Sequence, residues 1–428
     1  MANSIFFVSI IVAVGIFLFP IHLTIAERIL SMEQNPGCNH HNDEDCNNTH
    51  IVYIRSDAID DKNDEKNITQ STYHNLWIFS NNGYKPSIML FETDPLAKLT
   101  IDWLNFFQHK MNSINFNNGS IRNSFGFELT DLFLVNMTSK ELLYNIPIDQ
   151  LNWSVNFNER HNNQSSIEAI FSNNNSDIGN FHFHLKISGH SGRETILPKL
   201  IYTEGGNLLL FEIDNLFIPE SLQKNNTCLQ ICANLTTILD GHPLNGHIEK
   251  FTGMDDEYTP GVFQRYLYEM DSFDQIDNQT RSSFIGWKPV AYFDHNQQIA
   301  TSLKVISPII INMTTIPSSS ALNGYFDYQK SYPIKLANFR LNSEDDSEFN
   351  LAKNGTSIEF SLSLSLLPMN EAQFSTSMTI IIICLLIGFG LPFVLLIGFI
   401  MFQLFRRLFS LFSGDNNYNL QNNSESSA

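Results

Sequence analysis

Four groups of residues in this chain carry side chains that could do chemistry. Gly189-His190-Ser191-Gly192 sets a hydroxyl beside an imidazole in a glycine-bracketed turn, the ingredients of a nucleophile for acyl transfer. The G-x-S-x-G spacing is missing, because Arg193 stands where the last glycine belongs, and no helical pattern follows. The segment therefore reads as a turn between strands. His182 and His184 are two apart, which on a strand puts both imidazoles on one face, where they could hold a metal. Cys38, His40, His41 and Cys46 form a second candidate metal set. Zinc needs neutral imidazole and thiolate, and an acidic, oxidising lumen removes both. Asp255-Asp256-Glu257 offers the carboxylates that glycoside hydrolysis uses in pairs, but three successive acids in a polar turn read as a solvated face. No phosphate-cradling glycine loop is present. No catalytic, cofactor-binding or metal residue is assigned, and the chain reads as a non-enzyme.

The elements that would position these groups follow from the compartment. Met378 to Met401 is a run without a charged residue. At ~1.5 Å per helical residue such a run crosses a ~30 Å hydrocarbon core with some tilt. Arg406 and Arg407 follow closely, and short-range positive charge marks the cytoplasmic side. At the other end, Ile5–Leu18 is apolar and Thr24-Ile25-Ala26 supplies small residues for cleavage before Glu27, an uncleaved anchor being the rival. The expected layout is a signal at 1–26, a lumenal ectodomain over 27–374, a transmembrane helix over 376–404 and a cytosolic tail over 405–428: a single-pass type I membrane protein. In the span, Cys384, Gly388 and Pro392 recur at four-residue spacing, with Gly390 and Gly398 nearby, which suits either helix docking or an ordinary single span.

Composition sharpens this. The formal net charge is −19 over 428 residues, which argues against nucleic acid and anionic lipid as partners. The pI is about 5.0, so an acidic organelle would bring the protein close to zero net charge. Four of the five cysteines, Cys38, Cys46, Cys228 and Cys232, are exported, an even number suited to two disulfides. Three pairings exist, and the local ones, Cys38–Cys46 and Cys228–Cys232, are favoured. Glycosylation sequons begin at Asn47, Asn67, Asn118, Asn136, Asn152, Asn163, Asn174, Asn225, Asn234, Asn278, Asn312 and Asn354, all before the span. An Asn-rich chain makes some of these by chance, but export exposes every one to the glycosylation machinery. Asn422 lies beyond the span and is expected to stay bare.

Strand patterns dominate the ectodomain. Residues 27–75 read as polar loop with little core, and strands begin at Asn75. Leu76–Phe79 leads to the turn Asn81-Asn82-Gly83. Asn152–Asn158 and Asn180–Ser188 alternate, the second with Phe181, Phe183, Leu185 and Ile187 opposite His182, His184 and Lys186. Leu208–Ile213 is a further strand, and Ser357–Leu367 alternates Ile358, Phe360, Leu362, Leu364 and Leu366 with Glu359 and serines. Thr138-x-x-Glu141 before Leu142-Leu143 predicts one short helix, and Leu99–Met111 either a helix or a strand followed by a loop. The fold class is mainly β: a sandwich-like ectodomain in one or two lobes, with a lobe boundary placed at 241–256, plus one C-terminal transmembrane helix.

Two motifs then point to a family. Met254-Asp255-Asp256-Glu257-Tyr258-Thr259-Pro260-Gly261-Val262-Phe263-Gln264 resembles a stretch of the glycosylated lysosomal membrane protein family, as does Ser283-Phe284-Ile285-Gly286-Trp287-Lys288-Pro289-Val290-Ala291-Tyr292. Leu151-Asn152-Trp153-Ser154 is similar to its early tryptophan sequon, and the resemblance covers nearly the whole chain. It implies a lysosomal membrane accessory subunit whose lumenal domain docks on a multispan dipeptide transporter of the major facilitator superfamily and protects it from proteolysis. No catalytic residue carries over. Family tails sort through a tyrosine motif ending in a bulky apolar residue; here the sorting candidate Tyr418 is followed by Asn419, Leu420 and then Gln421, so the partner is an alternative carrier of the address. The competing functions are a cell-surface or endosomal receptor or adhesion protein, which a sandwich on a short stem also suits, and a lumenal hydrolase built on Ser191, His182 or Asp255.

Overall fold

The computed structural model describes residues 28–38, 48–59, 71–136, 141–157, 165–175, 178–195, 198–216, 229–254, 262–274, 279–288, 290–292, 300–302, 308–327, 331–340, 358–367, 388 and 390–414. The chain enters as β1 (Arg28–Gln34), β2 (Thr49–Ala58), β3 (Thr72–Ser80) and β4 (Ser87–Thr93). A small hairpin, β5 (Lys98–Ile101) and β6 (Ile114–Asn117), brackets the short helix α1 (Trp103–Phe107). The long β7 (Ile121–Asn136) leads to β8 (Leu142–Ile146), β9 (Ser154–Phe157), β10 (Ser166–Asn175) and β11 (Gly179–Ser188). Next come the two-residue strands β12 (Gly192–Arg193) and β13 (Ile201–Tyr202), then β14 (Asn207–Asp214), β15 (Leu229–Asp240), β16 (His242–Met254), β17 (Val262–Asp274) and β18 (Gln279–Trp287). The chain closes with β19 (Val290–Tyr292), β20 (Ala300–Ser302), β21 (Ile309–Asn312), β22 (Ser331–Arg340), β23 (Ile358–Ser365) and the helix α2 (Leu391–Gly414).

Two antiparallel sheets result. The first runs β1-β2-β3-β4-β7-β15-β22-β21, with β8 also on β7; the second runs β16-β17-β18-β23-β14-β11-β10-β9, with β19 and β20 at its side. They pack face to face, as the alternation of their strands requires. Trp77, Phe79, Phe125 and Phe127 of the first meet Phe171, Phe183, Phe211 and Leu362 of the second in one core. Phe79 stacks on Phe171 at 3.9 Å between ring centroids. At one end a polar bridge spans the gap: Trp77 Nε1 donates to Asn207 Oδ1 at 2.6 Å, and Asn207 Nδ2 donates to Asn75 Oδ1 at 2.8 Å. Three aligned amide and indole groups fix the register of one sheet on the other, because a slip would leave them buried without partners.

The first sheet is covered on its other face as well. Ile51, Leu76, Ile78, Met89, Phe91 and Ile238 pack under Trp103, Phe106, Ile114, Leu322 and Phe326. Strand β3 is therefore buried along its whole length. Helix α1 forms where Asp102 caps it, accepting from Asn105 N at 3.1 Å; of the two readings of Leu99–Met111, a helix or a strand followed by a loop, each holds in part, since β5 ends at Ile101 and the helix covers only Trp103–Phe107.

Other expectations need correction. Residues 27–75 are not loop with little core: β1 and β2 lie there, with Leu30, Val52 and Ile54 in the central core, because their polar residues alternate with apolar ones. Leu142-Leu143 begin a strand, not a helix; Leu142 pairs with Val135, and long-range pairing overrides the local capping signal. The polar stretch 241–256 is no lobe boundary but mostly β16, paired along β17, and residues up to Pro368 form one compact unit. In β23 the expected solvent face is buried too: Glu359, Ser361, Ser363 and Ser365 are all covered.

The second compact unit begins at Met369 and holds α2. Pro392–Phe409 is the described segment long and apolar enough to cross a membrane. The helix does not stop at 404: it continues through Arg406 and Arg407 to Gly414.

Cys38 is disulfide-bonded, and its partner lies outside the described residues. Cys46 is the cysteine on the same β1–β2 connection, whose ends are clamped together by Asn35: its Nδ2 donates to Thr49 O, and its Oδ1 accepts from Ile51 N. Cys232 lies inside β15, buried against Phe133 and Val135. An extended strand carries Cys232 about 10 Å from Leu229, whereas a disulfide needs Cα atoms within ~7 Å. The local Cys228–Cys232 pairing thus requires a sharp reversal at Cys228, which itself lies outside the described residues. Non-reducing peptide mapping of the purified protein is expected to recover Cys38 linked to Cys46; a Cys38–Cys228 peptide would overturn that assignment.

Candidate functional site

The outer face of the second sheet collects most of the residues singled out by their chemistry. Strand β11 buries Phe181, Phe183, Leu185 and Ile187 and turns His182, His184 and Lys186 outward. Strand β14 lies beside it with His182 opposite Glu212 and Asn180 opposite Asp214. The two histidines pair separately. His184 Nε2 lies 3.0 Å from Glu212 Oε2, while His182 Nε2 lies 4.0 Å from Asp214 Oδ2 and its Nδ1 3.0 Å from Ser172 Oγ. They converge on no common point. Among the described residues no group of three His, Cys, Asp or Glu is placed to hold a metal ion.

Lys186 completes the row. Its Nζ lies 2.7 Å from Glu194 Oε2 and 3.5 Å from Glu168 Oε1. Burial works against its charge, yet the adjoining Glu194 carboxylate holds the ammonium above its usual range; Glu194 is held below its own, against burial, by Lys186 and the Thr195 amide. Glu194 arrives on the β12–β13 hairpin, which folds back over this face. Glu194 N donates to Leu200 O at 2.8 Å, and Leu200 and Tyr202 pack on Leu208. Beneath the hairpin lies a cavity of about 190 Å³, lined by Ile170, Leu208, Leu210, Pro198 and Leu200 with Glu168, His184, Lys186 and Glu194 at its polar side.

The Gly189–Gly192 turn opens that hairpin and holds it in place. Gly189 N donates to Ser165 O and Gly189 O accepts from Arg28 N, each at 2.8 Å. Ser191 Oγ accepts from Glu204 N at 2.9 Å, and His190 Nε2 lies 3.4 Å from the Tyr202 hydroxyl. Serine and histidine thus serve different partners, and the geometry gives the hydroxyl no base. His40, His41, Cys46 and Asp255–Glu257 lie outside the described residues, so the second metal set and the carboxylate run have no placement; Cys38 is spent in its disulfide.

The described sequons are scattered over the first compact unit. Asn118, Asn152 and Asn312 are exposed, Asn136 and Asn234 half-buried, and Asn174 lies in β10. The Asn234 amide donates to Asp131 Oδ2 at 2.8 Å. Asn47, Asn67, Asn163, Asn225, Asn278 and Asn354 fall outside the described residues, as do Cys228, Cys384, Tyr418, Gln421 and Asn422.

A match to the family described as glycosylated lysosomal membrane protein spans residues 52–408. The chain belongs to that family. The matched segment runs from β2 through the row His182–Lys186 and both central motifs to the arginines of α2, so every element of this face lies within it. Membership in the glycosylated lysosomal membrane protein family makes the chain a lysosomal membrane glycoprotein, to which one apolar C-terminal helix is suited. No curated protein matches the sequence significantly. Sequence reasoning found His182, His184 and Lys186 but missed Glu194, Glu212 and Asp214. Leu208–Ile213 is apolar except at Glu212, which strand periodicity sets on the face opposite Phe211 and Ile213; nothing local shows that β14 lies beside β11.

Proposed function

We propose that the chain is a non-enzymatic accessory subunit of the lysosomal membrane that docks on a multispan transporter of the major facilitator superfamily, the dipeptide carrier its family resemblance implies, and protects it from proteolysis. The observation that carries this reading is the edge strand β21. Ile309, Ile310 and Ile311 are 54, 38 and 43% exposed, on the last strand of the first sheet. Natural edges are blunted by charge or proline, since free N–H and C=O groups beside apolar side chains recruit other chains. Three isoleucines in a row are the opposite choice and suit a surface that a partner covers as far as the exposed sequon Asn312, which ends the strand and bounds that surface. Among the described residues Ser191 and His190 are committed to Glu204 and Tyr202 and form no nucleophile–base pair with each other, while Asp255 of the hydrolase alternative lies outside the described residues.

The protective role has a physical basis. Proteases cut backbone that opens locally, and a sheet buried on both faces opens seldom. Placed over the lumenal loops of a carrier, such a body restricts access to them, and neutral glycans keep it soluble near its pI.

Detergent pull-down of the tagged full-length protein is expected to recover a multispan carrier. Ile310→Lys should reduce that recovery at least tenfold, the effect of about 1.4 kcal/mol, without changing the protein's own thermal unfolding. Loss of the protein should shorten the carrier's half-life. A carrier with unchanged lifetime, or cell-surface staining with no lysosomal staining, would return the receptor reading to first place.

A further inference from the structure

We propose that Glu128 is a proton-operated latch for the segment Met313–Phe326, which closes over the outer face of the first sheet. Carrying its proton, the carboxyl holds the segment down; ionised, it lets the segment open more often. The latch stands apart from the docking role, although β21 ends where this segment begins.

The segment seats directly on the sheet. Ile316, Ala321, Leu322 and Phe326 join the core that also holds Met89 and Ile238. The fit is closest at Gly126, where a Cβ would meet Phe326 at 2.8 Å and Leu322 at 2.9 Å. Two residues on, strand alternation turns Glu128 to the same face, against the start of the short 3-10 helix Ala321–Gly324. Ser320 caps that helix by accepting from Leu322 N at 3.2 Å, and its own hydroxyl donates to Glu128 Oε2 at 2.5 Å. One serine thus joins the helix to the strand.

The surroundings suit a neutral carboxyl better than a charged one. The cross-strand neighbours of Glu128 are uncharged, Ser87 on β4 and Thr236 on β15. Ser87 has one proton for two acceptors, Lys85 O at 2.8 Å and Glu128 Oε2 at 3.1 Å. The Lys85 ammonium is engaged with Thr130 O and Asp131, and Lys335 turns to the same aspartate at 3.2 Å. A buried carboxylate so placed is relieved by a proton, or by the water that opening admits. Burial accordingly pushes the carboxyl up to about 7 from 4.5, against Ser320, Lys85 and Ser87. Closing therefore takes up a proton: it is favoured in acid and weakens as pH rises through 7. The apolar anchors keep the segment seated on average, so the latch governs how often it opens. In a lysosomal membrane protein this sense holds the segment down in the acidic, protease-rich lumen and leaves it loosest at the neutral pH met on the way there.

Other titratable groups line the same cap. His109 lies against Tyr84, His74 against Phe116, and Asp240 is bonded by Ser124 and Ser331, while burial raises Tyr325 and keeps its proton on. Glu128→Gln separates their titration from its own.

The test is hydrogen–deuterium exchange on the full-length protein in detergent at pH 5 and pH 8, with rates corrected for the intrinsic pH dependence of exchange. The amides to follow are those of Asn323, Tyr325 and Phe326, which donate to Ser320 O and Leu322 O. Their protection is expected to fall roughly fiftyfold between the two pH values. At pH 8 it should lie well below that of the β11 amides, the mark of local opening short of global unfolding. Glu128→Gln should keep at pH 8 the protection that the unmodified protein has at pH 5. Unchanged protection in the unmodified protein, a fall of the same size in Glu128→Gln, or segment amides exchanging in step with those of β11 would each overturn the proposal.

Discussion

Replacing Glu128 with Gln is expected to leave stability unchanged at pH 4.5 and to raise it at pH 8 by on the order of 3 kcal/mol. Glu128 lies on β7 under the cap of the first sheet and is 1% exposed. Its Oε2 accepts from Ser320 Oγ at 2.5 Å and from Ser87 Oγ at 3.1 Å. The nearest ammonium, Lys85, is engaged elsewhere, donating to Thr130 O and lying 3.6 Å from Asp131. Burial pushes the Glu128 carboxyl up to about 7 from an ordinary 4.5, against the weaker lowering effects of Ser320, Lys85 and Ser87. The folded protein therefore keeps a proton that the unfolded chain releases, and this contribution is full below pH 4.5 and lost as pH rises through 7. Glutamine keeps the shape and the hydroxyl contacts without the charge.

His74 supplies the contrast. Tyr53 and Thr93 occupy its two ring nitrogens, and burial, helped by Arg55, lowers it to about 3 from 6.5. Its contribution is present above pH 6.5 and lost as pH falls toward 3. Between pH 4.5 and 6.5 the two groups tilt stability in opposite directions. The melting temperature of the unmodified protein should thus vary little across that window, whereas that of Glu128→Gln should climb with pH. Parallel melting curves for the two proteins would mean that Glu128 is not the buried acid described here.

The second large effect is expected at Gly189. A methyl group there would sit 2.2 Å from the Arg28 carbonyl oxygen, a backbone atom that cannot move without breaking the β1–β2 ladder. Gly189→Ala should cost about 3 kcal/mol or more, the upper range for overpacking. Gly83→Ala is the natural comparison: φ there is +84° with open space around it, so only the backbone conformation is strained, at about 1 kcal/mol. Thermal unfolding of the two variants side by side tests this. Equal losses would show that the contact between Gly189 and Arg28 yields easily.

These cases show what the chain disclosed about itself before folding was considered. Alternation alone placed Phe181–Ile187 inside and His182–Lys186 outside, because one face of β11 meets the core and the other meets polar groups. The same reasoning failed on β23, where serines suggest water but both faces are covered; Ser365 Oγ instead bonds Thr203 Oγ1, a residue far along the chain. The Gly-His-Ser-Gly motif was visible as a turn, yet its glycine serves packing against β1, which no local pattern reveals. The partners of His184 and Lys186 come from β14 and the hairpin, and their approach is a product of strand order, to which spacing along the sequence is blind.

Arg28 shows how much of the fold hangs on one residue near its leading end. Its guanidinium donates to Ser56 Oγ, Ser56 O and Ser71 O, stands 3.8 Å from Glu204 and lies 3.7 Å above the ring of Tyr73. If the leader expected over residues 1–26 is removed after Ala26, a single residue remains ahead of this knot; removal two positions later would take the arginine with it and leave three acceptors and an acid in the interior without their partner. The fold thereby sets a limit on how far this end can be trimmed.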